Sequence, residues 1–225
     1  MTNRLVVFDC DGTIVDSQAS IISAMATAFR AHGHPAPPAA AVRRVVGLPL
    51  EAAIAALASG GMSGTEAEIV SESYRQAFRA LRLKGLVDDP LYPGAAAAIA
   101  ALDGAGWLLG IATGKGRRGL DHILERHGLT GRFVTLQTAD SAPGKPHPAM
   151  LLNAVAEAGA DAAATIMVGD TTFDMEMSQN AGILAIGVAW GYHEAEELRA
   201  AGAHLVIDRF DDLAPALDRI MEAIP

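Results

Sequence analysis

The chain has 225 residues, of which 51% are hydrophobic, and its 17 basic against 26 acidic side chains give a formal net charge of −9. That length holds one large domain, or a core with an insertion, around a substantial buried interior. The acidic balance argues against nonspecific nucleic-acid binding, which needs a positive footprint, and a lone cysteine, Cys10, rules out an intrachain disulfide.

A chain with one thiol suits a reduced, cytoplasmic setting. The segment MTNRLVVFDCDG turns acidic after a short apolar run, unlike a signal peptide. No uninterrupted apolar stretch approaches the roughly 20 residues of a membrane span, so no membrane partner is expected.

In chain order, residues 4–8 (RLVVF) predict a buried strand ending at Asp9. Residues 17–32, 49–59 and 64–84 then predict three helices, with Thr65 and Glu68 as a capping box for the third and Pro35, Pro37 and Pro38 in a loop between the first two. No strand is expected from Asp16 to Pro90, and Pro90 and Pro93 punctuate the return. Strands are then predicted at 107–112, 132–136, 164–168, 183–188 and 204–207, and helices at 94–105, 117–127, 147–158 and 210–223. Alternating strands and helices predict an α/β fold, a Rossmann-like parallel sheet sandwiched by helices. The expected division is a core of residues 1–15 and 91–225 and an inserted all-helical domain of residues 16–90.

Ligands of open parallel sheets bind outside the carboxyl ends of the strands. Asp9, Asp11, Gly12 and Thr13 follow the first run; Thr113, Gly114 and Lys115 follow 107–112; Gly169, Asp170 and Asp174 follow 164–168; Lys145 lies in the loop APGKPHP, 142–148. Several carboxylates at one edge repel one another unless a cation neutralises them, and an all-oxygen set suits magnesium. A carboxylate can attack phosphorus, a second one two residues on can serve as acid and then base, and Gly12 permits the tight turn that brings both to one ligand. Lys145 and Thr113 are suited to phosphate oxygens, and backbone N–H groups of Gly114, Lys115 and Gly116 precede a helix.

These segments resemble the four motifs of the haloacid dehalogenase superfamily, in order. DCDGT at 9–13 resembles the first, Thr113 the second, Lys145 in GKP the third and GDTTFD at 169–174 the fourth, with the helical insertion where the family carries a small cap. The resemblance covers nearly the whole chain. It implies that Asp9 is nucleophile and magnesium ligand, that Asp11 is general acid/base and binds the metal through its backbone carbonyl, and that Asp170 binds the metal directly or through water. It further implies that Asp174 supports the metal's water shell, and that Thr113, Gly114 and Lys145 bind the phosphoryl group. Asp11 separates phosphatases and phosphomutases from the dehalogenases, which lack it. The expected activity is a magnesium-dependent phosphatase of small phosphorylated metabolites, phosphoglycolate-phosphatase-like. A β-phosphoglucomutase-like transfer is the alternative within the family, and a noncatalytic phosphate-binding member is a third reading.

A rival is present in GKGRRG at 114–119, which matches G-x-G-x-x-G, with Asp140 near the spacing of a ribose-binding acid. A nicotinamide-dinucleotide-binding protein would leave Asp9, Asp11, Asp170 and Asp174 unexplained. Cys10 is expected to pack away from the carboxylates, and His147 to be structural. In the insertion, Arg44 is a candidate contact for a substrate carboxylate or second phosphate, Gly47 a point of close approach, and the crossings near Asp16 and Pro90 candidate hinges. The sequence does not specify an oligomeric state.

Overall fold

The computed structural model describes residues 3–222. The first strand, β1 (Leu5–Phe8), leads into four helices: α1 (Gln18–Ala31), α2 (Ala39–Val45), α3 (Leu50–Leu57) and α4 (Gly64–Leu83). The alternating part follows as α5 (Ala95–Gly104), β2 (Leu108–Ala112), α6 (Arg117–Arg126), β3 (Thr135–Gln137), α7 (Ala149–Ala158), β4 (Thr165–Gly169), α8 (Thr172–Ala181), β5 (Leu184–Val188), α9 (Ala195–Ala200), β6 (Leu205–Ile207) and α10 (Leu213–Glu222). Among the described residues the strands form one six-stranded sheet in the order β3-β2-β1-β4-β5-β6, and every pairing is parallel. This is a Rossmann-like α/β sheet.

Strand β1 sits at the centre, so all four of its side chains are buried, and period two divides them between the faces. Val6 and Phe8 join Leu109, Ile111, Ile166 and Val168 under α5, α6 and α10. Leu5 and Val7 meet Met150, Leu151 and Ala154 of α7 and Met177 of α8. A run with no polar side chain is what burial on both faces demands.

Helices α1–α4 hold an apolar cluster of their own, built on Ile21, Ala24, Met25, Phe29, Val42, Ile54, Val70 and Phe78. The two crossings into and out of this helical segment pair with each other: Asp16 N–H donates to the Pro90 carbonyl at 2.9 Å and Tyr92 N–H to that of Ile14 at 2.9 Å.

Several local expectations shift. The strand expected at 132–136 lies at Thr135–Gln137, because Phe133 leaves the sheet to pack edge-on against Phe8, ring centroids 6.5 Å apart. The capping box of α4 is not Thr65 with Glu68. Ser63 is the N-cap and accepts from Glu66 N–H at 3.2 Å, one residue ahead of Gly64, so Glu66 takes the third helical position. Helices α2 and α9 were not expected; at seven and six residues they are too short to show a helical period. The last predicted helix begins as a 3-10 turn at Phe210–Asp212 before α10, and its residue 223 lies outside the described residues.

Candidate active site

Register brings the expected residues to one edge. Phe8 pairs with Ile111 on one side and Val168 on the other, so the segments after β1, β2 and β4 leave the sheet at the same level. Asp9 follows immediately, its N–H donating to the Val168 carbonyl at 2.9 Å. The edge is the point where the strand order reverses direction around β1, the usual ligand crevice of such sheets.

The turn after β1 is tight. Ile14 and Val15 N–H both donate to the Cys10 carbonyl, and Gly12, at φ +88°, approaches Asp170 so closely that a Cβ there would lie 2.2 Å from Asp170 Oδ2. No side chain fits at residue 12 without moving Asp170. Thr13 Oγ1 donates to Asp170 Oδ1 at 2.7 Å and Tyr192 N–H to Oδ2 at 2.9 Å, so both oxygens of this fully buried carboxylate are oriented. Cys10 packs inside the core, where burial and then the Asp11 charge push its thiol well above the ordinary range.

Lys145 is fully buried between two carboxylates, 2.8 Å from Asp9 Oδ1 and 2.6 Å from Asp174 Oδ1. Burial works against its charge, but the Asp174 and Asp9 carboxylates more than compensate and hold it above the usual lysine value. The other oxygen of Asp174 belongs to a capping box: it accepts from Thr171 N–H at 3.0 Å and Thr171 Oγ1 at 2.7 Å, while Asp174 N–H donates to Thr171 Oγ1. Asp174 thus caps α8 and holds Lys145 at once.

Ligand oxygens of Asp9, Asp170 and Asp174 lie within 4.8 Å of one another. Three buried carboxylates face one ammonium, which leaves two negative charges uncompensated. Accordingly, burial pushes Asp9 up to about 7 despite the opposing Lys145 charge, and burial together with Asp9 and Asp174 pushes Asp170 well above the carboxylate range. An all-oxygen donor set with two surplus negative charges fits a divalent, hard cation such as magnesium.

On the β2 side, Thr113 is buried and its Oγ1 accepts from Lys115 N–H at 3.2 Å, leaving the hydroxyl proton free to donate elsewhere. Asp11 is held by Ser17 Oγ and by Lys115 Nζ, the latter 3.0 Å from its Oδ1. Neither the Ser17 hydroxyl nor the Lys115 ammonium is singled out by the sequence, where Lys115 enters as a residue after a strand and as a backbone N–H before a helix. The loop after β5 was missed too, although it follows a strand. It supplies Tyr192 N–H to Asp170 and Trp190 Nε1–H to the Thr13 carbonyl at 3.0 Å.

The helical segment closes over this edge through its loop Gly47–Pro49. A Cβ on Gly47, at φ +103°, would lie 3.2 Å from Thr171 Oγ1; one on Gly114 would lie 3.6 Å from the Gly47 carbonyl; and one on Gly144 would lie 2.7 Å from Pro49 Cγ. Arg44 does not point into the crevice. Its guanidinium forms a two-pronged pair with Glu197 of α9, at 2.8 Å on one prong, and is half exposed. His193 links the same elements, accepting from Thr172 N–H through Nδ1 and facing the Arg44 carbonyl through Nε2 at 3.3 Å.

The GKGRRG segment is accounted for without a dinucleotide. Asp140 accepts from Arg117 N–H at 2.6 Å and so caps α6, and Arg117 pairs with Asp121 on the helix surface. His147 is exposed, and its Nδ1 accepts from Ala149 N–H at the start of α7. Among the described residues no helix is long and apolar enough to cross a membrane.

A family model described as haloacid dehalogenase-like hydrolase matches residues 6–188. The protein named "Probable phosphatase IndB" of Dickeya dadantii (strain 3937) is 39% identical over 221 residues, 97% of this chain and 95% of that one. A phosphoglycolate phosphatase of Vibrio parahaemolyticus is 31% identical over 216 residues, 93% of this chain and 94% of its own. The crystal structure of a hydrolase from Pseudomonas syringae superposes with a TM-score of 0.84 at 27% identity, covering 98% of this chain and 99% of that one.

Proposed function

We propose a reaction for this chain on the premise that it belongs to the haloacid dehalogenase-like hydrolase family, in the phosphoglycolate-phosphatase-like branch, and is a phosphatase. The reaction is hydrolysis of a small-molecule phosphate monoester through an aspartyl-phosphate on Asp9. The observation that carries it is the pairing of Asp9 with Lys145 beside Asp170, two surplus negative charges in a buried pocket at the switch point of the sheet.

Asp9 and Asp170, with the backbone carbonyl of Asp11, would hold a magnesium ion, whose chemistry when bound is to offset charge on the phosphoryl oxygens. Lys145 and the Thr113 hydroxyl hold those oxygens from the other side, and Gly114 lets the phosphoryl group approach the backbone. A carboxylate oxygen of Asp9 attacks phosphorus as the ester P–O bond breaks, and Asp11 gives a proton to the leaving oxygen. Asp11 then takes a proton from the water that attacks the aspartyl-phosphate, releasing phosphate and restoring Asp9. Asp174 keeps Lys145 in place through Oδ1 and, standing in the same carboxylate group as Asp9 and Asp170, would also support the metal's water shell. Residues 16–90 act as a cap whose loop Gly47–Pro49 excludes water over the site.

The relative's phosphoglycolate bears a carboxylate on a small leaving group, and the class proposed for this chain is the same: small, anionic phosphomonoesters. Release of phosphate from p-nitrophenyl phosphate with magnesium tests the reaction. Asp9→Asn is expected to lower the rate at least about a thousandfold while the fold is kept; a variant releasing phosphate at the normal rate removes Asp9 as the nucleophile.

A further inference from the structure

Lys115 is a cation in contact with Asp11 that the reaction above does not use. Its side chain is only 10% exposed, and its ammonium stands 3.0 Å from Asp11 Oδ1. Its backbone is fixed at both ends, N–H to Thr113 Oγ1 and carbonyl to Ala139 N–H at 3.2 Å. Its stem lies against α6 where only a glycine fits: a Cβ on Gly119 would be 2.9 Å from Lys115 Cγ.

The opposite wall comes from the helical segment. Tyr74, Phe78 and Arg82 lie four residues apart on α4 and so share one face. Lys115 Nζ sits 5.2 Å from the Phe78 ring centroid and the Arg82 guanidinium 5.5 Å from the same ring. Arg82 Nε is buried and makes no hydrogen bond among the described residues. The other acidic group here, Asp89, accepts from Ser20 Oγ at 3.0 Å and attracts Lys115 more weakly than Asp11 does.

A leaving group that approaches Asp11 from the side of α4 meets the Lys115 ammonium, which stands beside Asp11 Oδ1 and over Phe78. We propose that Lys115 is a specificity residue that binds a carboxylate carried by the leaving group, with Phe78 as the apolar floor beneath it. This deepens the phosphatase reading and rests on it. A poorly solvated ammonium rewards an anion more than a hydroxyl, because the carboxylate adds the attraction of opposite charges to the hydrogen bond that either can accept. It also supplies the anion contact first sought at Arg44, which is engaged by Glu197.

The test compares kcat/KM for 2-phosphoglycolate with that for glycerol 1-phosphate, whose leaving group is uncharged, in the wild type, Lys115→Met and Lys115→Arg. The ratio of the two is expected to fall roughly ten- to hundredfold in Lys115→Met and to recover in part in Lys115→Arg, with the loss carried by KM. Calorimetry with 2-phosphoglycolate on Asp9→Asn and on Asp9→Asn/Lys115→Met gives the same comparison without turnover, and a circular-dichroism melt checks the fold. If both substrates lose equally, Lys115 serves only to position Asp11 and the proposal is overturned while the phosphatase reading stands. Wild-type protein that hydrolyses neither substrate nor p-nitrophenyl phosphate overturns both.

Discussion

Asp174 and Thr171 show how a single side chain can serve the fold and the site together. One Asp174 oxygen closes the capping box of α8 and the other grips Lys145, so the helix start and the phosphate-binding ammonium share an anchor. Replacing Thr171 with Val removes the hydroxyl from both sides of that box. The lost cap is expected to cost about 1 kcal/mol, which lowers the melting temperature by about 2–4 °C for a domain of this size. Turnover should fall as well, because Lys145 loses a fixed partner; a scanning-calorimetry melt with steady-state kinetics reads both. At this scale the sequence was legible where chemistry is concentrated in short runs. Asp9, Asp11 and Asp170 stood out because each closes a strand-like run. Ser17 and the Lys115 side chain did not, since a serine before a helix and a lysine in a glycine-rich loop have ordinary explanations until their partners are placed.

At the scale of elements, most strands and helices were readable from period and punctuation, and the failures share a cause. Helices α2 and α9 are too short for a period to emerge, and β3 was misplaced because Phe133 follows the core instead of the sheet. The helical segment could be counted from sequence, but its seating on the core could not. That seating depends on close approaches such as Gly144 against Pro49, where a Cβ would come within 2.7 Å of the ring. Gly144→Ala is therefore expected to hold the Gly47–Pro49 loop away from the strand ends and admit water. kcat/KM should fall several-fold with little change in the melting temperature, since the substitution touches no core side chain; a large drop in stability without a kinetic effect would count against the closure role.

Across the whole molecule, the three buried site carboxylates and Lys145 have a formal surplus of two negative charges when ionised, so a divalent cation should stabilise the fold as well as assist turnover. Saturation to a hundred times the dissociation constant is worth about 2.7 kcal/mol, which for this length corresponds to roughly 5–10 °C in the melting temperature. Chelator-treated protein should melt that much lower and recover on adding magnesium, and Asp170→Asn should shrink the shift; equal melting with and without the ion would remove the metal from the site. The α/β alternation, the order of the four motifs and the placement of their residues after strands are all legible in the amino-acid order, because burial on both faces of a parallel sheet writes itself into apolar runs. What those residues touch is set by how the segments pack in space. Parallel strands join segments that are distant in sequence, so the contact of Lys145 with Asp9 and Asp174, the engagement of Arg44 by Glu197 and the meeting of Lys115 with Asp11 beneath α4 depend on register and packing, which leave no local pattern in the chain.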